Sequence, residues 1–181
     1  MHKIAPKKKF GQNFLTDQSV IERIVSIAGQ LENKSILEIG GGSGNLTKHL
    51  IKAKPKNLIV VEIDKDYVEI LSKILQSSSV KTTLISEDIL KTDIYSYFSE
   101  PPVIFGNLPY NISTKILIKL LTPSNDESNW EKLFLMFQLE VANRIVAKPN
   151  TKQYGRLSLF SQFYSFPSLE LKIPKSSFFP I

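Results

Sequence analysis

The sequence predicts a doubly wound α/β domain, in which helices cover both faces of a parallel sheet. First, several short segments are apolar without polar alternation, which is typical of strands buried on both faces. Second, amphipathic segments with helical spacing separate them. Third, a glycine cluster follows the first apolar strand. The length of 181 residues is that of one domain of this kind.

The helical segments have recognisable starts and ends. Thr16 or Asp17 is expected to cap a helix that Gly29 ends, and its apolar positions are Val20, Ile21, Ile24, Val25 and Ile27. Further helices are predicted from Asn45, after a cap at Asp64, at 116–121 after a cap at Ser113, at 141–147 and at 157–166. A polar loop is expected at 123–129.

The strands lie between these helices. They are predicted at 35–39, 58–63, 82–86, 103–105, 133–137 and 169–173. Because strands and helices alternate, the strands are expected to be parallel.

The composition excludes several classes of protein. The absence of cysteine excludes disulfide scaffolds, thiol nucleophiles and zinc–thiolate sites. The only histidines are His2 and His49, and there is no G-x-S-x-G motif, so triad hydrolases and two-histidine metal sites are not expected. The longest apolar run has five residues, too short for a membrane span, and the basic start lacks the apolar region of a secretory signal.

The charge is unevenly distributed. Residues 1–15 carry four lysines and no acid, and residues 144–181 carry six basic residues and one acid. The segment between them has 13 basic and 16 acidic residues. Two basic ends around a nearly neutral centre favour a polyanion such as RNA or DNA lying across one face. The alternative for the lysines near the start is a solvated tail that keeps the protein soluble.

The glycine cluster Gly40–Gly44 lies between a strand and a helix, where backbone N–H groups can approach a ligand. The G-x-G-x-x-G spacing of dinucleotide sites is absent, since Asn45 or Thr47 stands where the third glycine is required. Glu62, 22 residues after Gly40, is placed to accept both ribose hydroxyls, and Asp88 to accept from an adenine amino group. A nucleoside without a pyrophosphate fits S-adenosylmethionine better than NAD. The alternative is a ligand-free turn with helix-capping acids.

The sequence Asn107-Leu108-Pro109-Tyr110 follows the fourth strand. The Asn107 side-chain oxygen and the Leu108 carbonyl could accept from an exocyclic adenine amine and so expose its lone pair to a methyl donor. Pro109 stiffens this backbone, and Tyr110 offers a face for an unstacked base. Such a transfer needs positioning and no metal. The alternative is a turn in which Tyr110 only packs.

These motifs together resemble the small-subunit ribosomal RNA adenine N6,N6-dimethyltransferase family from Lys9 to the last residue. The segments that carry the resemblance are 10–15 (FGQNFL), 38–44 (EIGGGSG), 62–64 (EID), Asp88, 107–113 (NLPYNIS), 138–144, 154–158 (YGRLS), Phe178 and Pro180. The resemblance implies a Rossmann-like, S-adenosylmethionine-dependent methyltransferase fold. It also implies dimethylation of rRNA adenosines, two adjacent ones, in the small ribosomal subunit or its precursor, by a cytoplasmic monomer.

The resemblance also implies roles for individual residues. The cofactor-binding set is Gln12, Asn13, Leu15, Glu38, Gly40, Gly42, Glu62, Ile63, Asp88, Ile89 and Asn107. The target base is expected to contact Asn107, Leu108, Pro109, Tyr110 and, on its other side, Phe178. RNA contacts are expected from Lys7, Lys8, Lys9, Arg144, Lys148 and Arg156.

Two departures from the family pattern matter. Leu139 stands at a usually basic position, which weakens the expectation of an RNA contact there. We expect residues 1–15 to form a basic arm and cofactor-closing motif, and 16–181 a catalytic domain that lacks the family's last antiparallel strand and helical domain. This chain would then be part of a longer protein, and the predicted strand 169–173 would lack its neighbour.

Two other functions stay open at this point. The macrolide-resistance large-subunit rRNA methylases share the Asn-x-Pro-Tyr region, although the 154–158 segment and Leu108 favour the first family. A non-catalytic RNA-binding assembly or transcription factor could use the same fold, although the intact 107–110 motif argues against it.

Overall fold

The computed structural model describes residues 13–122 and 129–180. Its centre is a sheet of five parallel strands in the order β4-β3-β2-β5-β6. The strands are β2 (Ser35–Ile39), β3 (Asn57–Val61), β4 (Lys81–Ile85), β5 (Val103–Asn107) and β6 (Lys132–Met136). The prediction of a doubly wound parallel sheet is confirmed.

Six α-helices accompany this sheet within the described ranges. They are α1 (Gln18–Ala28), α2 (Asn45–Lys52), α3 (Lys65–Gln76), α4 (Ser113–Leu121), α5 (Leu139–Ile145) and α6 (Arg156–Tyr164). Asp17 caps α1 through its carboxylate, Asp64 caps α3, and Gly29 ends α1 with a φ angle of +79°. None of the described helices is long and apolar enough to cross a membrane.

The core lies on both faces of the sheet because neighbouring strand residues point to opposite sides. On one face Ile36 packs with apolar residues of α1, α2 and α3. On the other face Leu37 packs with Ile116 of α4 and with the segment after β4. A smaller cluster joins α4, α5 and α6 around Leu117 and Leu157.

The strand order reverses between β2 and β5, and this position determines where the candidate site lies. From β2 the chain winds outward through β3 and β4, and later returns to place β5 on the other side of β2. The loops after β2 and β5 therefore diverge and leave a crevice at the carboxyl ends of the strands. The glycine cluster follows β2, and the Asn107 motif begins at the end of β5.

Several predicted boundaries differ from the structure. The strand predicted at 169–173 is wrong: these residues have no ladder partner, and only Leu171 and Ile173 pack against the core. An apolar alternation alone does not form a strand without a neighbouring strand. Ser113 does not cap α4 but is its first residue, and its hydroxyl donates to the Tyr110 carbonyl at 3.3 Å. The predicted loop at 123–129 lies outside the described residues except for its last position.

A small second sheet was not predicted. Strand β1 (Phe14–Leu15) pairs antiparallel with β7 (Phe178–Phe179), with Leu15 opposite Phe178. Beside this pair, the Thr16 N–H donates to the Ser177 carbonyl at 2.8 Å, and the Ser177 hydroxyl donates to Asp17 Oδ2 at 3.1 Å. The two ends of the described chain are therefore joined next to the crevice.

Candidate active site

The glycine loop forms the floor of the crevice. Gly40 and Gly42 have φ angles of +74° and +52°, which residues other than glycine rarely adopt. A Cβ on Gly42 would lie 2.8 Å from Phe14 Cε1, and one on Gly40 would lie 3.8 Å from the Asn107 carbonyl oxygen. The loop therefore passes directly beneath Phe14 and beside the motif at the end of β5. Both predicted glycines lie in the crevice.

Glu62 follows β3 by one residue and is fixed against the glycine loop. Its Oε2 accepts from the Gly42 N–H and its Oε1 from the Asp64 N–H, each at 2.9 Å. Burial raises the pKa of the Glu62 carboxyl, and these backbone hydrogen bonds oppose the increase. Because each carboxylate oxygen has a second lone pair, Glu62 can still accept from ligand hydroxyls.

Glu38 lies on β2 and is deeper than the resemblance implies. It is 1% exposed, and burial raises the pKa of its carboxyl to about 7, with the nearby Glu62 carboxylate adding to the increase. The Thr47 hydroxyl is close enough to oppose the shift, yet neither it nor Glu38 Oε2 makes a well-formed hydrogen bond to the described residues. The structure thus places Glu38 within the core below the glycine loop.

Asp88 follows β4 and caps its own turn. Its Oδ1 accepts from the Leu90 N–H at 2.9 Å, while its Oδ2 makes no hydrogen bond to the described residues. Nearby, the Ile63 side chain is 46% exposed, whereas Ile89 is buried. Asp88 therefore caps a turn and not a helix, and its contact with an adenine amino group stays a prediction.

Asn13 connects the start of the described chain to the motif after β5. The Asn107 side-chain amide donates to the Asn13 backbone carbonyl, and Asn13 Nδ2 donates to the Tyr110 hydroxyl at 3.0 Å. Because the Asn107 nitrogen is bound in this way, its Oδ1 is left as an acceptor. The Tyr110 side chain is 40% exposed, and Asn13 Oδ1 is buried without a partner among the described residues.

Leu108 and Pro109 form the turn between β5 and α4. The Pro109 carbonyl accepts from the Ile112 N–H at 3.1 Å. Leu108 is only 1% exposed, and a Cβ on Gly106 would lie 2.7 Å from its Cδ2. The role of the Leu108 carbonyl as a second acceptor for the target amine stays a prediction, since this residue is almost fully buried.

The remaining site residues near the ends of the chain have distinct environments. Leu15 is buried, and its carbonyl accepts from Asn45 Nδ2 at 2.9 Å. Phe178 is partly buried opposite Leu15, so its contact with a target base stays a prediction. Gln12 lies outside the described residues. Phe14, which sequence analysis did not assign to the site, packs its ring 4.9 Å from that of Tyr67 and covers the glycine loop.

The basic residues expected to contact RNA fall into two groups. Lys7, Lys8 and Lys9 lie outside the described residues, whereas Arg144, Lys148 and Arg156 are exposed around the connection between α5 and α6. The Ser158 hydroxyl donates to the Arg144 carbonyl, and Gln162 donates to two carbonyls at the end of α5. These bonds hold the two helix ends together. Leu139, at the usually basic position, is 50% exposed.

The described residues contain no cluster of three or more His, Asp or Glu side chains suited to a metal ion. The arrangement brings together a glycine loop, a buried carboxylate at Glu62, an oriented amide at Asn107 and an exposed aromatic ring at Tyr110. It can bind a nucleoside and present acceptors to an amine.

Comparison with known proteins shows the family to which this chain belongs. The family model described as ribosomal RNA adenine dimethylase matches residues 3–181. The ribosomal RNA small subunit methyltransferase A of Pelagibacter ubique is 45% identical over 177 residues, which cover 98% of this chain and 66% of the relative. Its counterpart in Dinoroseobacter shibae is 38% identical over 179 residues, or 99% and 64% of the two chains. The chain thus spans just under two thirds of the length of these relatives.

Two solved structures of methyltransferases have a fold similar to that of this chain. A dimethyladenosine transferase from Plasmodium falciparum has a TM-score of 0.67 at 28% identity, covering 82% of this chain and 52% of its own. The 23S rRNA methyltransferase ErmE has a TM-score of 0.65 at 27% identity, covering 82% and 55%.

Proposed function

Since this chain belongs to the ribosomal RNA adenine dimethylase family, we propose that it transfers methyl groups from S-adenosylmethionine to the N6 atoms of rRNA adenosines. We further propose that the target is two adjacent adenosines of the small-subunit rRNA, each dimethylated during ribosome biogenesis. The observation that carries this proposal is the orientation of the Asn107 amide. Its nitrogen is bound by Asn13, so its oxygen is the acceptor left at the crevice.

The crevice fits the nucleoside part of S-adenosylmethionine. A Cβ on Gly40 would have only the Asn107 carbonyl oxygen within 4 Å, so the glycine loop leaves open space at that position, and Glu62 is fixed with lone pairs for ribose hydroxyls. The exposed Ile63 offers an apolar surface to an adenine ring, and Asp88 Oδ2 can accept from its amino group. When bound, S-adenosylmethionine supplies a methyl group attached to a positively charged sulfur.

The residues after β5 would prepare the target amine. Asn107 Oδ1 accepts one amine N–H, which favours a tetrahedral nitrogen and directs its lone pair away from the ring. The exposed ring of Tyr110 provides a stacking surface for a base turned out of its helix. Its hydroxyl is bound to Asn13, so the ring orientation is restricted before the base arrives.

The RNA would be held mainly by charge. Arg144, Lys148 and Arg156 lie exposed on adjacent ends of α5 and α6, and residues 141–169 contain no acidic side chain. Binding of RNA phosphates to such a surface releases counterions, so the affinity falls as the salt concentration rises. We also propose that the reaction takes place in the cytoplasm and that the chain acts as a monomer.

Two other functions remain to be distinguished. The similarity to ErmE favours a large-subunit rRNA target as the second candidate. The curated relatives, which share 37–45% identity, are named for the small subunit, which favours the first. A non-catalytic RNA-binding factor would not need the oriented Asn107 amide.

The proposal is tested by supplying purified small and large subunits that lack the modification, with tritium-labelled S-adenosylmethionine. We expect label at N6 of adenosine in small-subunit rRNA. Asn107→Ala should reduce transfer by about a hundredfold, as removal of one group from a preorganised site usually does. Gln76→Ala, which removes an exposed amide at the far end of α3, is the control and should have no effect. Label in the large subunit, or equal rates for Asn107→Ala and the unsubstituted chain, would contradict the proposal.

A further inference from the structure

The turn after β4 is held by a dense set of hydrogen bonds around Thr92. This threonine is 3% exposed. Its N–H and its hydroxyl both lie within hydrogen-bonding distance of the Asp88 carbonyl, at 3.0 and 2.9 Å, and the hydroxyl is also 3.1 Å from Glu87 Oε2. With the Asp88 Oδ1 bond to the Leu90 N–H, these contacts close the segment 88–92 into a compact turn. The conformation of Asp88 therefore depends on the position of Thr92.

Helix α4 contacts this region at two points, one in the turn itself and one just after it. The Lys119 ammonium donates to the Thr92 carbonyl at 2.6 Å, and the Tyr95 hydroxyl donates to the Leu120 carbonyl at 3.3 Å. A charged donor makes the stronger type of hydrogen bond. Since α4 begins at Ser113, shortly after Tyr110, one helix joins the target-base motif to the turn that carries Asp88.

Two carboxylates lie near the Lys119 ammonium. Burial lowers the pKa of its ammonium, while the carboxylates of Asp93 and Asp88 oppose the decrease. The ammonium lies between the turn and its own helix, bonded to the Thr92 carbonyl.

We propose that Lys119 is a positioning residue for the nucleoside site: through the Thr92 carbonyl it fixes the 88–92 turn, so that Asp88 Oδ2 faces the adenine amino group. This inference rests on the proposed function, which assigns S-adenosylmethionine to the crevice. Lys119 itself does not contact the cofactor in this arrangement. It sets the preference of Asp88 for a base that carries an amino group.

The test compares two ligands by isothermal titration calorimetry. S-adenosylhomocysteine carries the adenine amino group, whereas S-inosylhomocysteine has a carbonyl oxygen in its place, which repels a carboxylate. For the unsubstituted chain we expect the first ligand to bind at least about tenfold more tightly, since the second lacks the amino group from which the Asp88 carboxylate would accept. Lys119→Met should reduce this ratio at least about threefold by releasing the turn.

Matched variants separate positioning from general destabilisation. Lys115→Met removes an exposed lysine one turn earlier on α4 and should leave the ratio unchanged. Lys119→Arg retains a charged donor and should restore most of the ratio if Lys119→Met has lowered it. Thermal unfolding in the absence of ligand reports any loss of stability, which would lower both affinities without changing their ratio.

The outcomes distinguish a failure of the proposed function from a failure of the positioning role of Lys119. If the unsubstituted chain does not bind S-adenosylhomocysteine, the proposed function fails and this inference fails with it. If the unsubstituted chain discriminates between the ligands and Lys119→Met retains the full ratio, the positioning role of Lys119 is wrong while the proposed function stands.

Discussion

Replacement of Glu38 by glutamine should change how the stability of the ligand-free chain depends on pH. Burial raises the pKa of this carboxyl from 4.5 to about 7. The folded chain therefore holds a proton that the unfolded chain releases between these two pH values. The resulting stability is fully present below pH 4.5 and is lost as pH rises through 7. At about 1.4 kcal/mol per pKa unit, the shift corresponds to about 3 kcal/mol at pH 8.

Glutamine has no proton to lose and should abolish this contribution. Relative to Glu38→Gln, the unsubstituted chain should lose about 3 kcal/mol of unfolding free energy between pH 4.5 and pH 8. For a chain of this size the loss equals about 6 to 12 °C in Tm. Urea unfolding at several pH values measures it directly.

Control variants distinguish the contribution of Glu38 to the pH dependence of stability from the contributions of other carboxyls. Glu69→Gln replaces an exposed carboxylate on α3 and should leave the pH profile unchanged. The pKa values of Asp17 and Glu100 are lowered by their hydrogen bonds, so their contribution is lost only as pH falls and has the opposite sign. Parallel pH profiles for Glu38→Gln and the unsubstituted chain would show that Glu38 is not protonated by burial.

Substitutions at three further positions test the crevice directly. Gly42→Val should abolish S-adenosylhomocysteine binding in calorimetry, because its Cβ would meet Phe14 at 2.8 Å and its φ angle is unfavourable; near-normal affinity would mean that the loop can rearrange. Glu62→Ala should weaken that affinity about tenfold to a hundredfold, the loss expected for charge-assisted hydrogen bonds, and unchanged affinity would remove Glu62 from the site. Tyr110→Phe should retain stacking but reduce methyl transfer about two- to tenfold by freeing Asn13, whereas Tyr110→Ala should reduce it further; equal losses would refute a stacking role.

The periodic part of the fold could be predicted from sequence because local chemistry determines it. Some strands are apolar on both faces, Asp17 caps a helix and Gly29 ends it. Each of these features indicates a boundary without reference to the rest of the chain. The β1–β7 pair gave no such signal, since two-residue strands have no periodicity. The error at 169–173 has the same origin: a strand is defined by a neighbour, and a single segment does not show whether the neighbour is there.

The candidate site also has features that the sequence predicts and features that depend on the tertiary structure. Residue type and spacing predicted Gly42, Glu62 and Asn107 as site residues, because few chemistries require those groups at the ends of strands β2, β3 and β5 of one sheet. The hydrogen bonds of Asn13 to residues almost a hundred positions away could not be predicted, since they depend on how the two loops meet. The depth of Glu38 was also hidden, because a carboxylate in a motif looks the same whether it faces a ligand or the core.

The segment from Asn13 to Asp17 makes the two halves of the crevice depend on each other. Phe14 covers the glycine loop, Asn13 binds both the Asn107 amide and the Tyr110 hydroxyl, and Thr16 is bonded to Ser177 near the other end of the chain. A methyl donor and an acceptor amine must align to within a fraction of an ångström for an in-line transfer. A short segment that contacts both sides can maintain that alignment only while it is paired with β7, so loosening this pair should disturb the donor and acceptor sides together.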